Sequence, residues 1–297
     1  MARFILLNLL LFTVTTLWPQ QAPDTSHFFE IETPRYAAGK GPAVMIDAAH
    51  NNFHTLDGRY RAFGNILEAD GYRLLSSEEP FTEDVLNNCD ILVISNPLHV
   101  SNQSNWRLPT PSAFTPEEIV AVEQWVAAGG RLFLIADHMP FAGAAADLGR
   151  AFGFEFLNGF AMDNRRRQFE YFTRRQGLLH DDPIIEALDS IVTFTGSAFL
   201  IPAAATPVIS LDERYTILMP AQAWNFTDDT PFVDGGGFHQ LAYRTYGKGK
   251  VMVSGEAAMF SAQLAGPNQA PVGLNNPAAR NNIPLLRNLV GWLAGEE

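Results

Sequence analysis

Histidines and acids in this chain gather just after short apolar runs. Asp47, His50 and His54 close or follow the run at residues 43–48. Asn96 and His99 follow residues 91–95, Asp137 and His138 follow residues 131–135, and Glu256 follows residues 251–254. Histidine and carboxylate side chains hold zinc, manganese or iron, or move protons as general acids and bases. The catalytic set expected from this pattern is Asp47, His50, Asp137, His138 and Glu256. The expected ligands of a divalent metal such as zinc are His50, His54, His138 and Glu256. A bound metal would bring the pKa of a water to about 7, leaving Glu256 or Asp47 as the base. The competing reading gives the same side chains structural work: Asp137 capping a helix, Asp47 binding loop amides. The four-residue spacing of His50 and His54 aligns their rings only on a helix, and Asn51-Asn52 between them favours a turn.

Other patterns carry less. Ser254-Gly255-Glu256 is not the Gly-x-Ser-x-Gly elbow of a serine hydrolase, and Ser197 has no base near it in sequence. Gly235-Gly236-Gly237 opens no helix and reads as a turn. So does His180-Asp181-Asp182-Pro183, while His239 reads as a strand residue.

The apolar runs imply the elements that would bring these residues together. Residues 43–48, 72–75, 91–95 and 131–135 read as buried strands. Tyr60, Phe63, Ile66 and Leu67 make one helical face, stopped by Gly71. Thr115-Pro116-Glu117-Glu118 is a capping box with proline at the first helical position, and Gly129-Gly130 ends that helix. Strand and helix alternate four times with short connections, which predicts right-handed crossovers and a parallel sheet. The expected fold is α/β, a three-layer, doubly wound, mainly parallel sheet of flavodoxin-like type. Extra strands and an insertion near 160–190 interrupt the rhythm. Residues 241–245 and 251–254 flank a hairpin turn, and residues 281–294 form a last amphipathic helix. In such sheets ligands bind beyond the carboxyl ends of the strands, where the histidines and acids lie.

Composition narrows the function. The chain has 297 residues, 47% of them hydrophobic, and a formal net charge of −12. That is core enough for one domain over residues 40–297, and the charge disfavours nucleic acid. The basic run Arg165-Arg166-Arg167 with Arg174-Arg175 reads as a solvated face whose aromatics, Phe169, Tyr171 and Phe172, pack inward. Cys89 is the only cysteine, so no internal disulfide forms. It precedes a strand and reads as buried filler. One positive charge and an apolar run at residues 4–18 resemble a signal peptide. Residues 1–25 are therefore set aside as a leader, and the protein is expected to be secreted or periplasmic. It would meet the membrane only if that segment stays uncleaved.

Several stretches, in order, resemble an uncharacterised bacterial group of class I glutamine-amidotransferase-like domains. They are Ile46-Asp-Ala-Ala-His-Asn-Asn-Phe-His54, Trp125-Val-Ala-Ala-Gly-Gly-Arg-Leu-Phe-Leu-Ile-Ala-Asp137, and Val192-Thr-Phe-Thr-Gly-Ser197. Gly247-Lys-Gly-Lys-Val-Met-Val-Ser-Gly-Glu256 and Asn288-Leu-Val-Gly-Trp-Leu293 complete the likeness. The intraflagellar-transport GIFT domain is a more distant likeness. The resemblance implies a flavodoxin-like fold but not amidotransferase activity. That activity needs a cysteine at a strand-to-helix elbow, where this chain reads Ala136-Asp137-His138-Met139. What is left is an exported hydrolase, metal-dependent or using His/Asp acid–base chemistry on a small-molecule or carbohydrate ligand. The alternative is a non-catalytic module binding a glycan or a protein, with Trp106, Trp224 and Phe238 as stacking surfaces.

Overall fold

Three short strands at residues 43–47, 91–95 and 131–135 form the centre of the molecule and carry charge only at their ends, because runs buried on both faces tolerate none inside. The computed structural model describes residues 21–26, 29–165 and 169–296. In chain order the main elements are β1 (Ala43–Asp47), α1 (Arg61–Ala69), β2 (Arg73–Ser77), α2 (Glu83–Leu86), β3 (Ile91–Ser95) and α3 (Pro116–Ala128). They continue with β4 (Arg131–Ile135), α4 (Phe141–Ala151), β5 (Glu155–Leu157), β6 (Ala198–Leu200) and β7 (Thr206–Ser210). β8 (His239–Tyr246), β9 (Gly249–Ser254) and α5 (Asn282–Ala294) complete the set.

The sheet order is β2-β1-β3-β4-β9-β8-β6-β5, with β7 also paired to β8. Neighbours from β2 to β9 run parallel. Those beyond β9 run antiparallel. The fold is therefore mixed α/β around a large mixed sheet, not a mainly parallel one. The β8–β9 hairpin turns the sheet's direction. Its Gly247 sits at φ +58, against the Ala127 backbone, where a Cβ would lie 2.6 Å from the carbonyl oxygen.

Side-chain alternation along the strands divides the core. Val44, Ile46, Val93, Phe133 and Met252 pack with Phe63 and Ile66 of α1 and Leu285, Leu289 and Val290 of α5. Their neighbours Met45, Leu92, Ile94, Leu134 and Val253 pack with Val122 and Val126 of α3 and Leu148 of α4. The capping box forms as read: Thr115 Oγ1 accepts from Glu118 N at 3.3 Å, and Glu118 Oε2 accepts from Thr115 N at 2.9 Å.

The region around 160–190 leaves the main sheet. Phe160–Asp163, Tyr215–Leu218 and Phe232–Asp234 form a separate three-stranded sheet, and Glu170–Thr173 pairs with Ser190–Thr193. Of the expected leader, residues 1–20 lie outside the described residues. Gln21–Pro23 pairs as a strand with Ala262–Ala265. Arg166 and Arg167 of the basic run also lie outside the described residues. Among the described residues, no helix is long and apolar enough to cross a membrane.

Candidate functional site

The carboxyl ends of β1, β3, β4 and β9 deliver the expected residues to one edge, where they separate into two clusters. The first is saturated. Asp47, fully buried, holds His50 Nδ1 at 2.9 Å from both carboxylate oxygens, and His50 Nε2 lies 2.9 Å from Glu118 Oε1. Carboxylates only accept, so both ring nitrogens donate and His50 is an imidazolium. Burial pulls its pKa down, but the bonds and charges of Asp47 and Glu118 outweigh burial and raise it. Phe81 and Phe114 lie against the ring at centroid distances of 4.5 and 4.7 Å. Asp47 also accepts from Ala49 N and Asn52 Nδ2, and Glu118 Oε1 from Phe81 N. His50 thus has no nitrogen left for a metal or a proton transfer, and neither Asp47 nor His50 lines the neighbouring cavity.

The second cluster surrounds a cavity of about 460 Å³. Its walls are Phe53, Trp106, Phe141 and Trp224, and its polar lining includes His54, Arg59, Asn96, Asp137, His138 and Gln263. Asn96 organises it. Its Oδ1 accepts from Asp137 N at 2.8 Å, so its Nδ2 must face His54 Nδ1, 3.1 Å away, and donate. His54 therefore carries its proton on Nε2, a buried donor without an acceptor among the described residues. Burial first, then the charges of Arg59 and His138, hold its pKa well below the usual histidine range, so the ring is neutral. His138 has the opposite tautomer. Its Nδ1 lies 2.7 Å from the Met139 carbonyl and must donate to it, which leaves an Nε2 lone pair in the neutral ring. The His138 ring stacks on Phe160 at 4.4 Å and meets Trp224 edge-on at 4.8 Å.

Two carboxyls lie beside the histidines. Asp137 Oδ1 accepts from His138 N at 2.7 Å. Glu256 is fully engaged, with Oε1 accepting from Ala258 N at 3.0 Å and Oε2 from Met259 N at 2.7 Å. Burial and then the nearby Asp137 charge push the Glu256 pKa well above the carboxylate range, and burial raises Asp137. Both groups are thus biased toward their protonated forms. Two side chains at the cavity, Asn96 and Trp224, occupy positive φ, +49° and +65°. Such strained backbone clusters at functional sites.

The expected metal centre is not assembled. Among the described residues, no group of three or more His, Cys, Asp or Glu is placed to hold an ion. Three of the four expected ligands have a physical reason: His50 is spent on two carboxylates, His54 presents a proton, and Glu256 is spent on backbone amides, while His138 stands without them as partners. Of the three stacking candidates, Trp106 and Trp224 line the cavity, while Phe238 packs against the main core. His99 bonds to Ser101, and His180 and His239 both bond to Ser210 Oγ, all away from the cavity. Sequence reading missed Arg59, one residue before a buried tyrosine in a helix-start segment, and gave Glu118 only its capping role. Cys89 is buried, its Sγ donating to the Leu86 carbonyl at 3.4 Å.

No protein-family model matches the chain, and no curated protein matches its sequence. Solved structures do. The N-terminal domain of mmIFT52 superposes with a TM-score of 0.60 at 14% identity, covering 84% of this chain and 97% of that one. A putative ThuA-like protein from Bacteroides uniformis gives 0.49 at 14% identity, covering 87% and 93%. Another from Parabacteroides merdae gives 0.45 at 12%, covering 86% and 91%. The expected distant likeness to an intraflagellar-transport domain is thus observed as a likeness of fold, and at these identities fold is all that it shows.

Proposed function

We propose that this chain is an exported acid–base hydrolase for a small carbohydrate-like ring. Its scaffold would be a doubly wound, flavodoxin-like domain of amidotransferase type over residues 40–297, without the amidotransferase nucleophile. The parallel run β2-β1-β3-β4-β9, with α1 and α5 packed on one face and α3 and α4 on the other, supports that scaffold. The apolar run at residues 4–18 supports export.

One observation carries the chemistry: two imidazoles line one cavity with oppositely committed Nδ1 atoms, that of His54 accepting from Asn96 Nδ2 and that of His138 donating to the Met139 carbonyl. His138 Nε2 takes a proton from the attacking water, and His54 Nε2–H donates to an oxygen of the bound ligand. The carboxyl pair of Asp137 and Glu256 holds the proton that Asp137 gives to the leaving oxygen. Trp106, Trp224 and Phe53 offer the apolar faces on which a sugar ring stacks. A cavity of about 460 Å³ suits a ligand of that size.

A panel of nitrophenyl glycosides and sugar esters tests this, with tryptophan fluorescence reporting binding. His138→Gln should lose turnover by about 100-fold or more. Equal turnover in the variant removes His138 from the mechanism. Binding without turnover of any panel member favours a glycan-binding module, a reading that the 40% exposed Trp224 at the cavity also fits.

A further inference from the structure

The cavity holds more donors than its protein partners use. Arg59 lines it half-buried, with its guanidinium 3.8 Å over the Phe53 ring. Its terminal nitrogens donate only to neutral carbonyls, of Phe53 at 3.4 Å and Gln21 at 3.0 Å. Its Nε is buried without a partner. Among the described residues, no carboxylate lies within ion-pair distance of Arg59. Nor do the nearby acids offset it: Asp137 and Glu256 are turned to the amides of His138, Ala258 and Met259. Beside Arg59, His54 contributes a second buried, unpartnered donor, Nε2–H. Gln263 presents the converse, a buried Oε1 acceptor without a donor, while its Nε2 bonds Ser261.

A buried unpaired donor gives up its hydration with nothing in return, and a half-buried cation facing only dipoles gives up more. Two such donors at one cavity call for an acceptor-rich, negatively charged group. The orphan acceptor of Gln263 and the Nε2 lone pair of His138 call for hydroxyls on the same molecule. We infer that the ligand is an acidic sugar, whose anionic group, carboxylate or phosphate, is bound by Arg59 together with His54. This deepens the carbohydrate reading above and rests on it.

The test is titration of the full chain with D-glucuronate, D-glucose 6-phosphate and D-glucose, followed by tryptophan fluorescence and calorimetry. One of the two anionic sugars should bind at least about tenfold more tightly than glucose, as a charge-assisted bond replaces a neutral one. Which anion wins separates carboxylate from phosphate. Arg59→Gln should bring that anion to within about threefold of glucose, Arg59→Lys should restore part of the gap, and added salt should weaken only the anion. Melting curves of both variants check that they fold. Glucose binding as tightly as both anions, or an anion preference unchanged in a folded Arg59→Gln, overturns the inference and leaves the acid–base reading in place. If none of the three sugars binds at 10 mM or so, above the roughly millimolar affinities of weak specific sites, both fall.

Discussion

Replacing His50 by alanine should destabilise the fold in a pH-dependent way. The substitution leaves Asp47 and Glu118 facing each other across a hole with no cation between them. Breaking a buried pair by removing one partner typically costs about 3–5 kcal/mol. Here Asp47 keeps Ala49 N and Asn52 Nδ2, and Glu118 keeps Phe81 N and Thr115 N, so the lower end, about 3 kcal/mol, is expected. At roughly 2–4 °C per kcal/mol for a domain of some 200 residues, that is a Tm loss of about 6–12 °C. The sign with pH follows from the titrations. The folded pKa of His50 is raised, so its contribution is complete below the unfolded value of 6.5 and is lost as pH rises through the folded value. Glu118 is lowered: burial alone would raise it, but the Thr115 amide, His50 and the Phe81 amide outweigh that. Its contribution is present above 4.5 and is lost as pH falls through the folded value. The gap between parent and variant should therefore be widest between about pH 4.5 and 6.5 and shrink at high pH. Thermal melts at pH 5.5 and 9 read it directly. A variant melting within about 2 °C of the parent at pH 5.5, or a gap that does not narrow at pH 9, would refute an imidazolium held by two carboxylates.

Two further expectations concern groups away from the cavity. Glu170 is pushed up to about 8, mainly by burial, so its stabilising contribution is complete below pH 4.5 and gone above about 8. Glu170→Gln should flatten the fall in urea midpoint between those limits and be the more stable form at pH 9, and parallel pH slopes would contradict this. Cys89, buried and pushed up to about 12 by burial and the Asp90 charge, should ignore a disulfide reagent at pH 8 until denaturant is added, then react once per chain. Native labelling within minutes would place the thiol elsewhere.

Much of the parallel half was legible because its signals are local. Continuous apolar runs mark β1, β3 and β4, and the Thr115–Glu118 pattern marks the start of α3 whatever packs against it. Of the antiparallel half only the β8–β9 hairpin was legible, since β5 and β6 have three residues each, too few to show a period, and take their place from partners distant in sequence. The same limit governs the site. Strand ends predicted that His54, Asp137, His138 and Glu256 would share an edge. They did not predict that the second oxygen of a capping glutamate would reach His50, 68 residues away, nor that Arg59 would lack a carboxylate among the described residues. Both depend on how loops fold back, and Asn51 and Asn96 turn theirs through positive φ.

The three residues between His50 and His54 separate two opposite uses of one side chain. His50 is charged, bonded at both nitrogens and closed to chemistry. His54 is neutral, bonded at one nitrogen and open at the other. The first makes the second possible. With the segment anchored by His50 to β1 and α3, Phe53 N reaches the Asn96 carbonyl at 2.9 Å, and His54 Nδ1 meets the Asn96 amide that fixes its tautomer. A free loop would let the His54 ring turn and offer either nitrogen, and Nε2–H would no longer be a fixed donor. Order in the saturated cluster is what permits an unsatisfied donor to persist in the other, since a strained or unpaired group survives only where its surroundings over-determine it.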